Sequence, residues 1–354
     1  MKTLIVGGGL CGLALADRLE ALGRDYHLLE ARSRFGGRIL TERVEDAYFD
    51  MGPAWFWPGQ PRIENLIGRL GLKAFEQFSS GELTFEDETG RVQRGQGFAS
   101  MQGSWRLVGG LSELTEALQH QLPSARKQLN AQVTRLEQSG IRVRAMLRDG
   151  SVVHADRVVL AMPPRIAAAI EFAPALPQAA LKAMAEVPTW MAGQAKAVAV
   201  YETPFWREAS LSGDAMSRRG PMVEIHDASP AQGGPYALFG FIGVPPKGRK
   251  DEQALRQAIE RQLVRLFGEE AASPQALFIK DWAFDPLTAT EADAAPQYHH
   301  PAYGLPAALE NLWDGRVIFA GTEVAGGYGG FLEGALEAAE AALDRLEDRV
   351  PAYR

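Results

Sequence analysis

The sequence is poor in the features that bind metals, membranes or nucleic acids unaided. Its 354 residues include one cysteine, Cys11, which excludes an internal disulfide and any cysteine-built metal site. The six histidines show no zinc-type spacing, and His299-His300 beside Pro301 reads as loop. With 37 Lys and Arg against 44 Asp and Glu the formal charge is -7. No basic run interrupts that balance, which argues against a nucleic-acid partner. No apolar stretch approaches the ~20 residues of a membrane span, so no membrane association is expected. Internal repeats and low-complexity tracts are absent. Met1-Lys2 and the apolar residues after them superficially look like a secretory leader. However, Gly7, Gly8, Gly9 and Gly12 interrupt that stretch, and its removal would delete a whole structural unit. The expectation is a cytoplasmic chain, long enough for two domains.

What the sequence does have begins at once. Leu4-Ile5-Val6-Gly7-Gly8-Gly9-Leu10-Cys11-Gly12 reads as strand, glycine turn and helix start, and Leu28-Leu29-Glu30 closes a second strand on an acid. Gly7 allows the tight turn, Gly9 lets backbone approach a pyrophosphate, and Gly12 lets helix pack on strand. Glu30 would accept from a ribose hydroxyl and disfavour the extra phosphate of NADP. The pattern predicts a dinucleotide site, with an ordinary glycine-rich turn as the plain alternative. Ala31-Arg32-Ser33-Arg34-Phe35-Gly36-Gly37-Arg38 follows directly. Its arginines offer forked donors to phosphate, and its paired glycines leave the approach clear. A solvated basic turn is the alternative there. Cys11, inside the phosphate turn, reads as a packing residue rather than a nucleophile.

These residues together resemble the flavin-containing (mono)amine oxidases, in which E-A-R-x-R-x-G-G-R follows the nucleotide fold. The match runs through Glu30, Ala31, Arg32, Arg34, Gly36, Gly37 and Arg38. The resemblance is to a short, bacterial-type member and implies FAD. It assigns cofactor contacts to Gly7, Gly9, Leu10, Cys11, Gly12, Glu30, Ala31, Arg32, Gly36, Gly37 and Arg38. Phe49-Asp50-Met51-Gly52-Pro53-Ala54 resembles the family's D-x-G-x-x segment, which places Met51, Gly52, Pro53 and Ala54 along the flavin. Gly59-Gln60-Pro61-Arg62-Ile63 resembles its G-x-Q-x-R-I segment. At the Val133 position the family's backbone meets the adenine, and Ala161 is assigned to the cofactor as well.

The periodicity predicts a helix over 63–70, a hairpin within 82–98 around Thr89-Gly90, and a helix over 112–122. A strand is expected over 130–136 and a hairpin around Asp149-Gly150. Val158 to Ala161, closed by Pro163-Pro164, reads as a buried parallel strand. Composition shifts from about 185 to 282, where strands and the helix from Glu252 form a second unit. Arg316 to Glu323 then returns to a nucleotide-type strand. The expected fold is therefore α/β: a discontinuous Rossmann-type FAD-binding domain with an inserted α+β substrate domain. The FAD domain would span 1–63, 104–184 and 283–354, and the substrate domain 64–103 and 185–282.

Lys196 stands in Ala195-Lys196-Ala197-Val198-Ala199-Val200-Tyr201 and shares a strand face with Val198 and Val200. It is either an edge lysine reaching for water or a buried amine with a lowered pKa. In the resembling family a lysine ten positions before the tryptophan of P-F-W holds a water against flavin N5 and takes part in the oxygen reaction. Lys196 has that register to Trp206. The stretch Ala320 to Ala335 reads as strand, glycine turn and helix. A mobile glycine loop is the alternative. A helix N-terminus there would stabilise the reduced flavin's negative edge. The resemblance assigns Gly321, Thr322, Glu323, Gly330, Phe331 and Leu332 to the cofactor.

Departures from the family pattern are equally informative. Monoamine oxidases flank the amine with two tyrosines. The second position is Phe331, and the first, placed by the tryptophan matching Trp282, falls near Ala292. Trp282, Phe331 and Tyr328 are the expected partners of Lys196 in catalysis, and Trp282 is also a cofactor contact. Trp55, Phe56 or Trp57 are further candidates for the missing half of the cage. The cysteine that links flavin covalently in some members falls near Glu291, so FAD should be held non-covalently. The long helical insert of larger members and their C-terminal membrane helix have no counterpart here. The expected function is oxidation of a small amine to an imine, with O2 reoxidising the flavin to give hydrogen peroxide. The rivals are an FAD-dependent dehydrogenase, desaturase or isomerase on an apolar non-amine, or a catalytically silent flavin-binding protein.

Overall fold

The computed structural model describes residues 1–295, 297 and 299–347. Its centre is a five-stranded sheet with order Val317–Ala320, Arg157–Ala161, Lys2–Val6, Asp25–Leu29 and Lys127–Gln128. All four strand pairs are parallel. A parallel sheet is covered on both faces, so its strands read as unbroken apolar runs. Leu4, Ile5, Val158, Val159 and Leu160 are accordingly fully buried. Helices Leu10–Ala21 and Leu332–Glu347 contribute Leu13, Leu15, Leu336 and Ala339 to the same core.

A seven-stranded sheet forms the other half, in the order Ala276–Asp281, Ala195–Tyr201, Tyr236–Ile242, Met222–Asp227, Leu211–Ser217, Glu82–Glu86 and Val92–Arg94. Helix Glu252–Phe267 covers one face with Leu255, Ile259 and Leu263. The opposite face packs Val198, Val200 and Phe239 against Phe49 and Met51 of the segment that follows the nucleotide fold. A four-stranded sheet containing the hairpin Arg142–Leu147 and Val152–Ala155 flanks the parallel one.

Two elements differ at their edges from the sequence expectation, each for a visible reason. The helix expected from 63 starts at Pro61, a residue suited to the first helical turn. Its free N–H groups at Arg62 and Ile63 donate to the buried Glu333 carboxylate at 3.1 and 2.9 Å. Its apolar face, Ile63, Leu66 and Ile67, joins the core of the parallel sheet. The strand expected over 130–136 runs Val133–Ser139 instead. Asn130 adopts φ 56°, and its N–H and that of Ala131 donate to the Arg32 and Glu30 carbonyls, so this stretch braces the nucleotide loop.

Candidate active site

A cavity of about 850 Å³ runs from the glycine turns to the seven-stranded sheet. All the residues assigned above as cofactor contacts or to catalysis line it except Gly12, Glu323 and Tyr328. At the first end the lining is mostly backbone. Gly7 has φ 110°, and a Cβ there would stand 2.4 Å from the Ala161 carbonyl oxygen. A Cβ on Gly12 would stand 1.9 Å from the Gly7 oxygen, so Gly12 packs helix on strand and does not face the cavity. Gly8 and Gly36 are joined by a 2.8 Å backbone hydrogen bond, which brings the two glycine runs side by side. Helix Leu10–Ala21 begins without a side-chain cap, and the residues of its first turn, Leu10 and Cys11, line the cavity. Uncapped N–H groups at a helix start suit an anion.

Glu30 is buried, and each carboxylate oxygen accepts from a backbone N–H: Gly8 at 2.7 Å and Arg32 at 2.7 Å. It therefore fixes the geometry of both turns around any ribose it meets. The arginines divide their work. Arg34 donates to the carbonyls of Phe35, Gly37 and Ile39 and braces its own loop, against the expectation of a phosphate fork at that position. Arg32 reaches Asp285 at 2.6 Å, and Arg38 pairs with the buried Glu323 at 2.6 Å. Both Arg32 and Arg38 still line the cavity. Val133 lines it with Ala131 and Gln132. Cys11 is buried, and burial pushes its thiol up to about 12, which suits packing and excludes a thiolate nucleophile.

The second end is built from side chains. Lys196 lies on a central strand between Ala276–Asp281 and Tyr236–Ile242 and is 3% exposed, which removes the edge-lysine alternative. Its Nζ donates to the Asp50 carbonyl at 3.0 Å and the Gly52 carbonyl at 2.7 Å. Trp282 Nε1 donates to the Met51 carbonyl between them at 3.0 Å. Three successive carbonyls of the flavin-side segment are thus held by the two side chains. Phe239, Trp55 and Phe241 surround the amine, with ring centroids 4.3, 5.6 and 5.7 Å from Nζ. Burial lowers its pKa to about 7; the Asp50 charge opposes the shift and the Arg106 charge adds to it. An ammonium has three donors, and two are taken by carbonyls. The third is available to a water in the cavity.

Phe331 lines the cavity and meets Trp57 edge-on at 6.4 Å, while His300 stacks on it at 5.0 Å. Trp57 and Trp190 supply aromatic surface that the sequence alone left unplaced. Phe56 is buried without lining the cavity, and Ala292 lies exposed in a short turn. Tyr328 is also outside: its N–H is held by Glu337, and its hydroxyl lies 3.5 Å from the Gly59 carbonyl. Met101, Met191, Val223, Glu224 and Phe241 line this end and were not anticipated. Glu224 had one available signal: it alternates with His226 on a strand face.

The residues fit FAD. The cradle admits no Cβ at Gly7, an uncapped helix start suited to an anion lines the cavity, and Glu30 stands where a ribose would need an acid. Cys11 is the only cysteine, so no thiol lies near Glu291 for covalent attachment. Among the described residues no group of side chains could hold a metal ion. No helix among them is long and apolar enough to cross a membrane.

Comparison with known proteins agrees with this geometry. Residues 10–99 and 94–346 match the family described as flavin containing amine oxidoreductase. The chain is 22% identical to a probable flavin-containing monoamine oxidase A of Dictyostelium discoideum, covering 98% of this chain and 97% of the relative. Two solved structures share the fold at 20% identity. Cyclohexylamine oxidase from Brevibacterium oxydans has a TM-score of 0.83, with 98% and 99% of the two chains covered. Putrescine oxidase bound to putrescine has a TM-score of 0.81 at the same coverage.

Proposed function

The chain belongs to the flavin-containing amine oxidoreductases and is an FAD-dependent amine oxidase, and from that premise we propose how its residues divide the work. The FAD, held non-covalently, supplies a two-electron acceptor for the C–N bond when bound. The observation that carries the reading is Lys196, a buried amine on the cavity wall with one donor to spare. Lys196 holds a water at the reacting face and assists delivery of the protons that are taken up when O2 is reduced to hydrogen peroxide. Trp282 and Lys196 together fix the carbonyls of Asp50, Met51 and Gly52, so the flavin-side segment keeps one position through turnover.

Trp55, Trp57, Trp190 and Phe331 line the substrate end. Such surroundings favour a neutral amine over an ammonium, because burial penalises the charged form. A neutral amine lying against these rings needs no protein base at its carbon. Orientation, exclusion of water and electrostatics are then the protein's contribution. The sheets support the division into an FAD domain (1–63, 104–184, 283–354) and a substrate domain (64–103, 185–282), except that helix Pro61–Arg69 crosses the boundary at 63 and packs on the FAD side. A cytoplasmic location is part of the same reading.

The test is anaerobic bleaching of the yellow protein by a panel of amines, followed by air with peroxide recorded. Bleaching and prompt peroxide release are expected. Yellow protein that no amine bleaches would contradict the reading and leave the non-amine or silent alternatives.

A further inference from the structure

Lys196 stands in a small set of buried charges, and one member of that set meets it twice. Asp50 ends strand Ala47–Asp50 and is buried, and its carbonyl accepts from Lys196 Nζ at 3.0 Å. The carboxylate of the same residue is fixed separately. Its Oδ1 accepts from the Thr41 hydroxyl at 2.6 Å and from the Leu111 N–H at 2.9 Å. Leu111 immediately precedes helix Ser112–Gln121, and the Ser112 N–H reaches the same Thr41 hydroxyl at 3.1 Å. Free N–H groups at a helix start stabilise a negative charge. A Cβ on Gly110 would stand 2.5 Å from Thr41 Cγ2 and 3.1 Å from Asp50 Oδ1, so the turn before the helix closes tightly over this carboxylate.

Asp50 faces the charge of two cations. Arg106 is buried and spends its donors on the Ser229 and Ala228 carbonyls at 2.6 and 2.9 Å. Burial lowers its pKa, opposed first by the Asp50 charge and then by Asp227, which is itself paired with Arg207 at 2.7 Å. The remaining charges around Lys196 have partners of their own. Lys280, opposite Lys196 on the neighbouring strand, reaches Asp285 at 3.1 Å. Glu224, His226 and Asp214 hydrogen-bond among themselves beyond Trp55 and Phe241. Burial raises the Asp50 pKa, and the Thr41 hydroxyl, Arg106, the Leu111 N–H and Lys196 each oppose that rise. In so buried a setting a nearby charge counts for far more than it would in water.

Resting on the role assigned to Lys196 above, we propose that Asp50 is a positioning residue for the oxygen half-reaction and acts only through Lys196. Its carbonyl places the amine, and its clamped carboxylate keeps a proton on it. Hydrogen peroxide is O2 with two electrons and two protons added. Both electrons and one proton come with the reduced flavin, and the Lys196 ammonium lends the second proton. The neutral amine is then recharged from water in the cavity. Without the Asp50 charge, burial and the Arg106 charge both drive Lys196 neutral, and the proton is missing when O2 arrives.

The experiment is stopped-flow reoxidation of the reduced holoenzyme by O2 from about pH 5 to 9, a range that brackets a lysine titrating near neutrality. Wild type, Asp50→Asn, Lys196→Met and the double variant are compared. The wild-type rate should fall with rising pH through one inflection. In Asp50→Asn, which keeps the shape and the Oδ1 acceptor, that inflection should move down by about one pH unit or more. In the Lys196→Met background Asp50→Asn should change the rate by less than about twofold at every pH. An inflection that stays in place in yellow Asp50→Asn overturns the proposal, as does a further loss in the Lys196→Met background. Should Asp50→Asn fail to fold, Thr41→Val decides: it removes one donor to the carboxylate, so a smaller downward shift is expected, and an unmoved inflection overturns the proposal. Lys196→Met reoxidising at the wild-type rate would sink the role of Lys196, and this inference with it. A slow Lys196→Met beside an Asp50→Asn of wild-type profile would sink this inference alone.

Discussion

The two ends of the cavity are made of different materials. The nucleotide end is written in backbone: glycines that admit no Cβ, a helix start, and an acid whose oxygens are taken by two N–H groups. The substrate end is written in side chains brought together from strands far apart in sequence, such as Lys196, Phe241 and Glu224. The first kind of site tolerates almost no change in shape and many changes in surface. The second kind can change its chemistry while the sheet beneath it stays the same. Binding of the cofactor and choice of substrate are therefore separable, and single substitutions should separate them.

The largest effect belongs to the backbone end. Gly12→Ala places a methyl group 1.9 Å from the Gly7 carbonyl oxygen, where only backbone can yield. The expected cost is on the order of 3 kcal/mol or more. It should appear as a lowered unfolding midpoint and a reduced ratio of flavin to protein absorbance on purification. Normal flavin content would break the distinction drawn here.

An intermediate effect tests the side-chain end through pH. The Lys196 pKa falls from 10.5 in an unfolded chain to about 7 in the fold, so the folded protein releases this proton first. The unfolded chain holds more protons between those values, and stability from this group rises with pH across that window. Below about pH 7 both states carry the charge, and the full penalty of burying it is felt. Lys196→Met removes the penalty, so its stability relative to wild type should be greatest near pH 6 and decline toward pH 10. The expected change is a few kcal/mol by chemical denaturation. A difference that stays constant with pH would contradict a buried, readily neutralised amine.

The smallest effect sharpens the boundary of the site. Tyr328 lies outside the cavity lining, so Tyr328→Phe should change kcat/KM by less than about twofold. A large loss would move the site's edge past the glycine turn.

The same contrast explains what could be read from sequence. Gly7, Gly36, Gly37 and Glu30 announce themselves because each is demanded by local backbone geometry. The parallel strands announce themselves because burial on both faces leaves unbroken apolar runs. Lys196 was visible as a lysine among valines, although its two carbonyl partners and its aromatic surround depend on tertiary packing. Arg34 was misread because a guanidinium that braces its own loop looks, in sequence, like one that meets a phosphate. Tyr328 was named as an aromatic partner of Lys196 because the family's cage lacks a tyrosine here, yet Glu337 holds its backbone N–H and it lies outside the cavity lining. Glu224 went unseen because strand register, not sequence spacing, sets it on the same sheet face as Lys196, with Phe241 between them.

The central claim is that Lys196 serves the oxygen side of the cycle while the backbone end holds the cofactor without it. Stopped-flow kinetics of Lys196→Met tests it most directly, with flavin reduction by amine and reoxidation by O2 measured separately. Reoxidation slower by roughly 10²-fold is predicted, with FAD retained and reduction affected far less. Reduction and reoxidation both at wild-type rates in the yellow variant would contradict the account.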